Sequence, residues 1–300
     1  MTRERVATWA SIGTDVSNCN NNLDEILKEA ELDYTVEKRT VDVNGVGTSD
    51  RFYAVVRNTD NHVYNIVRGS YNVCQNSDAF SIIESLGSDV NIVKAGETVS
   101  GMIYMIGELP ECRVLDDNFK PYIILQTSHN SEYSLKSAVV PLRVVCQNQF
   151  NIAFREADNV ASIRHTSSMP SQIAAAEELM ANAVNYLKGF ETAADNLVSQ
   201  RVDIHELTDL IFPMPKQVTE RGAELVEAKR DEFLKIYDSD DNQNFKGTAW
   251  GALNAITDYS THNIGKRSSD ESRFVSSIVY PEFMKHALSA VSSLGVNVGR

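Results

Sequence analysis

This 300-residue sequence has no CxxC pair, no apolar run near the ~20 residues of a membrane-spanning helix, and no excess of positive charge. Each absence removes a class. The four cysteines, Cys19, Cys74, Cys112 and Cys146, are too dispersed for a paired zinc-ligand pattern and too few for a disulfide scaffold. They read as free, mostly buried thiols. The opening MTRERVATWASIGTD has two arginines with no apolar stretch behind them, so no secretory signal is expected and the expected location is the cytoplasm. A formal net charge of −13 argues against loose attraction to a phosphate backbone. Glycine-rich dinucleotide fingerprints, HExxH, GxSxG and paired catalytic carboxylates are missing too. The expectation is therefore a protein that is not an enzyme and takes no cofactor or metal.

What is present is a change of periodicity midway. Residues 34–41 alternate in polarity, and residues 51–57 and 62–68 are rich in β-formers around a short polar loop, which predicts a hairpin. Further strands are predicted over 91–93, 99–107, 121–127 and 142–146, with Pro141 at the start of the last. Helices are predicted in LDEILKEA after three asparagines, and from a Ser77-Asp78 cap to Gly87. From Pro170 onward Ile173, Ala176, Met180, Ala183, Val184, Leu187 and Phe190 recur at helical spacing. Asp203 with Glu206 resembles a capping box. Helices near 218–237, from Thr248 and around 283–291 follow, with the acidic 238–244 stretch as a loop. The expected fold class is α+β: one twisted, mostly antiparallel sheet with packed helices over residues 1–168, then a helical half over 169–300.

Candidate sites are local. Residues 143–151, RVVCQNQFN, place Arg143 and three amides around a strand. Arg143 is read as a phosphate or carboxylate ligand and Asn148 as a base or backbone contact, against the plainer reading of amides closing a turn. Residues 132–165 carry Lys136, Arg143, Arg155 and Arg164 against three carboxylates, a weak basic excess. His129 and His165 are read as surface or turn histidines; a nucleophile–base pair with Cys146 lacks any supporting spacing. Thr248 caps a helix with Trp250 in the core, and Gly265-Lys266-Arg267-Ser268-Ser269 is a compact basic loop.

Several segments together resemble a known family. They are AELDYTV at 30–36, YNVCQN at 71–76, Ser128-His129-Asn130, RVVCQN at 143–148, Arg164-His165-Thr166 and Gly247-Thr248-Ala249-Trp250. In this order they resemble the phage- and plasmid-borne family known as domain of unknown function 932. Asn130-Ser131 stands where the family often has an aspartate and glycine. The resemblance implies a phage or mobile-element origin and no established activity. The order of N-terminal elements is similar to Rad52-like single-strand annealing proteins, a likeness of fold. It implies a homo-oligomer that holds single-stranded DNA by its backbone and promotes annealing in recombination. Arg143, Arg155, Arg164, His165, Lys266 and Arg267 would then contact the backbone, with Tyr71 and Phe150 stacking on bases. The alternative is an acidic oligomer that binds a host protein without nucleic acid; no membrane partner is expected in either case.

Overall fold

A computed structural model describes residues 8–44, 46–85, 90–115, 117–133, 135–143, 160–162, 169–265, 267–278 and 282–297. In chain order the first half runs β1 (Thr14–Asp15), α1 (Leu23–Glu29), β2 (Val36–Val43), β3 (Gly47–Arg57), β4 (Val63–Arg68) and α2 (Asn76–Phe80). It continues with β5 (Asn91–Glu97), β6 (Met102–Glu108), β7 (Cys112–Val114), β8 (Asp117–Ser128), β9 (Lys136–Arg143) and β10 (Val160–Ser162). The second half is helical: α3 (Met169–Ser199), α4 (Ile204–Ile211), α5 (Glu220–Tyr237), α6 (Ala249–His262), α7 (Asp270–Ile278) and α8 (Glu282–Ser293). The α+β class follows directly.

The strands form two antiparallel sheets where one was expected. β2, β3 and β4 make a three-stranded sheet; β1, β5, β6, β8, β9 and β10 follow one another in a second, with β7 also paired to β8. The second sheet is covered on both faces. Ile103, Met105, Ile123, Leu125 and Val139 point into the main core, whereas Met102, Tyr104, Ile106, Tyr122, Ile124, Val140 and Leu142 join a separate cluster with Trp9, Ile12 and Phe274. Two-sided burial explains why MIYMIG and YIIL read as unbroken apolar runs, although antiparallel sheets more often alternate. The predicted hairpin forms as β3 and β4, with β2 on the far side of β3.

Several predicted ends move. The strand expected at 142–146 runs from Lys136 to Arg143, so Pro141 sits inside it, opposite Pro121 of β8. β10 pairs only with residues 136–138, so Pro141 lies where no described strand needs its missing N–H on that side. α2 begins at Asn76 with Gln75 at the cap position and no side-chain cap bond, and a 3-10 turn over Ser81–Ser85 follows it. Gly87 and residues 144–151 lie outside the described residues. The Ser77-Asp78 cap is thus not formed, but two other capping predictions hold: Asp203 accepts from the His205 and Glu206 amides, and Thr248 from that of Gly251.

The main core contains side chains from both halves. Phe119 of β8 meets Phe190 of α3 edge to face at 5.2 Å, and Phe190 lies 5.8 Å from Trp250 of α6. Trp250 is fully buried, as its position after the Thr248 cap predicts. α6 is buried nearly all round, which suits the central helix of a layer. The division expected at residue 168 falls outside the described residues. No described helix is long and apolar enough to cross a membrane.

Candidate nucleic-acid interface

Adjacent residues in a strand point to opposite faces, so Phe52-Tyr53 in β3 cannot bury both rings against one core. Tyr53 packs against the main core; Phe52 stays 45% exposed. Its direct cross-strand partner is Arg68 of β4. One pair along the same face, Ala54 opposes Ile66, which is 48% exposed, while Val55 and Val67 on the other face are buried. Residues 37–40, 46–48, 50–52 and 68–70 are exposed, so the distal part of the three-stranded sheet stands clear of the body as an arm.

The arm has a charge unlike that of the rest of the chain. Residues 36–69 hold five cations against four carboxylates in a protein of net charge −13. Lys38 is engaged by the Gly69 and Tyr71 carbonyls at 2.8 and 2.9 Å, and Arg39 by Glu37 and Asn61. Among the described residues, the Arg51 and Arg68 side chains have no partner. Two uncommitted guanidinium groups and an exposed ring thus occur within one small sheet.

A polar joint fixes the arm to the body. Arg57, the last residue of β3, forks onto Asp60 at 2.8 and 2.9 Å and reaches Glu97 at the end of β5 at 3.4 Å. Its guanidinium lies 5.0 Å from the Tyr34 ring and 5.7 Å from that of Tyr64. The Tyr64 hydroxyl donates to that of Tyr34 at 3.0 Å, which donates to Glu97 at 2.9 Å. Asn65 adds a bond from its amide to the Asn130 carbonyl. Below them Gln75 holds both the N–H and the carbonyl of Val36.

Burial tunes these groups. The hydrogen bond from Arg57 holds the Asp60 carboxyl down to about 2, and the same bond raises Arg57 further above its ordinary value. Desolvation pushes the Tyr34 phenol up to about 12 and raises Tyr64 as well. His129 is 3% exposed, and desolvation, with the Arg57 charge as a smaller cause, lowers it to about 4. Its ring lies 5.1 Å from that of Tyr64 and 5.9 Å from that of Tyr34. Of the expectation of a surface or turn histidine, the surface alternative is corrected: His129 sits at the bend that immediately follows β8, whose last eight residues are all buried.

The other candidates scatter. Arg143 is 2% exposed; its guanidinium donates to Asp117 at 2.8 and 2.9 Å and to the Asp241 carbonyl at 2.8 Å. That placement gives it a structural task, joining β9 to the segment after α5, and leaves no open face for a phosphate. Tyr71 is half-buried against the core at the base of the arm, where its carbonyl accepts from Lys38. Arg267 is exposed just before α7, away from the three-stranded sheet in sequence. Asn148, Phe150, Arg155, Arg164, His165, Lys266 and Cys146 lie outside the described residues. Phe52, Ile66, Arg51 and Arg68 were not singled out by sequence reading. The adjacency of Phe52 and Tyr53 in a predicted strand was the available signal.

No curated protein and no solved structure matches the chain. The family model described as Domain of unknown function (DUF932) matches residues 63–278, from β4 to the end of α7, and the chain belongs to that family.

Proposed function

We propose that the chain binds single-stranded nucleic acid on the outer face of the three-stranded sheet. The observation that carries this reading is the cross-strand pair of Phe52 and Arg68: an exposed ring beside an uncommitted guanidinium, with Ile66 extending the apolar strip. Single-strand binders combine aromatic platforms with cations that follow the backbone, and stacking tolerates any base. Single-stranded DNA is the substrate in this reading. Annealing during recombination, in a phage or other mobile element, is the activity that the resemblance to annealing proteins implies. The arm's charge is nearly balanced, five cations against four carboxylates, so it is spared most of the overall acidity, and binding depends on that local field.

The test is a fluorescence anisotropy titration with a labelled oligonucleotide of ~40 bases at several salt concentrations. Binding should weaken as salt rises, and Phe52→Ala with Arg68→Ala should weaken it at least about tenfold. Absence of binding at low salt, or a double variant that binds as the parent does, would sink the reading.

A second reading rests on the helical half. Leu210, Met214, Val218 and Leu225 are exposed on and between α4 and α5, with Asp209, Glu220 and Glu224 among them. Exposed apolar side chains among charges of both signs, with Lys216 and Arg221 exposed in the same stretch, suit a protein partner. Co-purification of one protein that is lost on Leu225→Lys, with no DNA binding, would favour it.

A further inference from the structure

A cleft of about 420 Å³ opens between the turn joining β5 to β6 and the first turns of α7. Val99, 95% exposed at the tip of that turn, and Val275 of α7 contribute apolar walls. Tyr133 and the hydroxyls of Ser100 and Ser272 line it too, and its one charged lining group is Glu271. The Glu271 carboxylate is held in place, since its Oε2 accepts from the Val99 N–H at 3.0 Å. Among the described residues its Oε1 has no partner. The neighbouring charges are already engaged. Asp270 accepts from Ser11 and lies 3.7 Å from Arg273, and Arg273 is buried and donates to the Thr261 carbonyl.

We infer that this cleft binds an alkylguanidinium or alkylammonium group, with the cationic head on Glu271 and the methylene stem against Val99 and Val275. A carboxylate makes its strongest hydrogen bonds to charged N–H donors, and a long cationic side chain lays its stem on apolar surface while its head stays polar. The serine and tyrosine oxygens accept from the donors that the carboxylate leaves over. An anion would face Glu271 with no cation among the lining residues, and a purely apolar ligand would cover Oε1 without replacing its water. The cation can come from a free polyamine-like molecule or from an arginine or lysine of a protein partner. The inference does not rest on the nucleic-acid reading of the three-stranded sheet.

The experiment is calorimetric titration of the full chain with agmatine, with 1,5-pentanediol as the uncharged comparison, and with a short arginine-containing peptide. Glu271→Gln keeps an oxygen for the Val99 N–H while removing the charge, and Ser272→Trp fills the cleft from an exposed helix position. The parent chain should bind agmatine, the peptide or both, at least about tenfold more tightly than the diol, and each variant should lose about tenfold or more. Binding of agmatine identifies a free cation as sufficient; binding of the peptide alone assigns the site to a partner's side chain. Binding of neither, or equal binding by Glu271→Gln, overturns the inference.

Discussion

His129 Nε2 donates to Asn76 Oδ1 at 3.0 Å, and the other end of that amide donates to the Leu32 carbonyl at 2.9 Å. The second bond turns Oδ1 toward the imidazole, so Nε2 carries a proton, and burial disfavours a second proton on the ring. His129 is thereby tied to the segment that leads into β2, on the far side of the joint from its own strand.

This arrangement sets a pH dependence. The imidazole titrates at about 4 in the folded chain and at 6.5 when free. Between those values the unfolded chain takes the proton first, so stability is full above about 6.5 and falls as pH drops toward 4, by up to about 3 kcal/mol. Urea unfolding across this range checks it, and His129→Gln should flatten the curve there. Asp60 acts in a separate window, losing its contribution as pH falls from 3.8 toward about 2.

Arg143→Ala should cost about 3–5 kcal/mol, because it strands Asp117 and the Asp241 carbonyl beside a vacated buried site. Chemical denaturation measures this. A loss below about 1 kcal/mol would contradict the structural role given to the residue. Arg143→Lys should recover only part of the loss, since an ammonium cannot span both partners with a planar fork.

Arg57→Ala should loosen the arm and leave the body intact. The guanidinium connects Asp60 and Glu97 and lies against two tyrosine rings, so its removal takes away much of what holds β3 to β5. Hydrogen exchange should quicken at the amides of β2, β3 and β4, with β6 and β8 still protected. Equal loss of protection in both sheets would mean that the joint is integral to global folding.

Gly251→Ala should destabilise the protein even though alanine is favoured over glycine by about 1 kcal/mol in a helix interior. The added methyl would run into the Phe245 carbonyl, which already accepts from the Thr248 amide and hydroxyl. Displacing that turn should cost about 1–3 kcal/mol, read as a lower melting temperature. An unchanged or higher melting temperature would show that the turn gives way freely.

Phe52→Ala and Arg68→Ala sit on an exposed face and should each change stability by no more than about 0.5 kcal/mol. That separates any loss of nucleic-acid binding from a loss of fold. Thermal melting alongside the anisotropy titration makes the comparison.

Much of the fold was legible because local chemistry carries it. The β3–β4 hairpin follows from β-formers around a polar loop, and Asp203 and Thr248 cap helices because their short side chains reach free amides. α7 was missed, since DESRFVSSI shows only a few apolar residues amid polar ones. Its Phe274 is fully buried against the second face of the large sheet, and only tertiary packing makes that face a core. The candidate site was less legible still. Arg143 looked like a ligand for phosphate, and nothing near it in sequence announces Asp241, 98 positions away.

The sequence by itself determined the α+β order, the Asp203 and Thr248 caps, the hairpin and membership of the family, all of which depend on short-range pattern. Tertiary structure decided which cations are spent and which remain open. Arg143 is consumed by carboxylates brought from a distant strand and turn, and Arg57 by Asp60 three residues on and by Glu97 of β5, whereas Arg51 and Arg68 are left uncommitted on the arm among the described residues. An arginine's task is set by the charges that folding places around it, and Glu97, Asp117 and Asp241 lie too far along the chain from Arg57 and Arg143 for any local pattern to record.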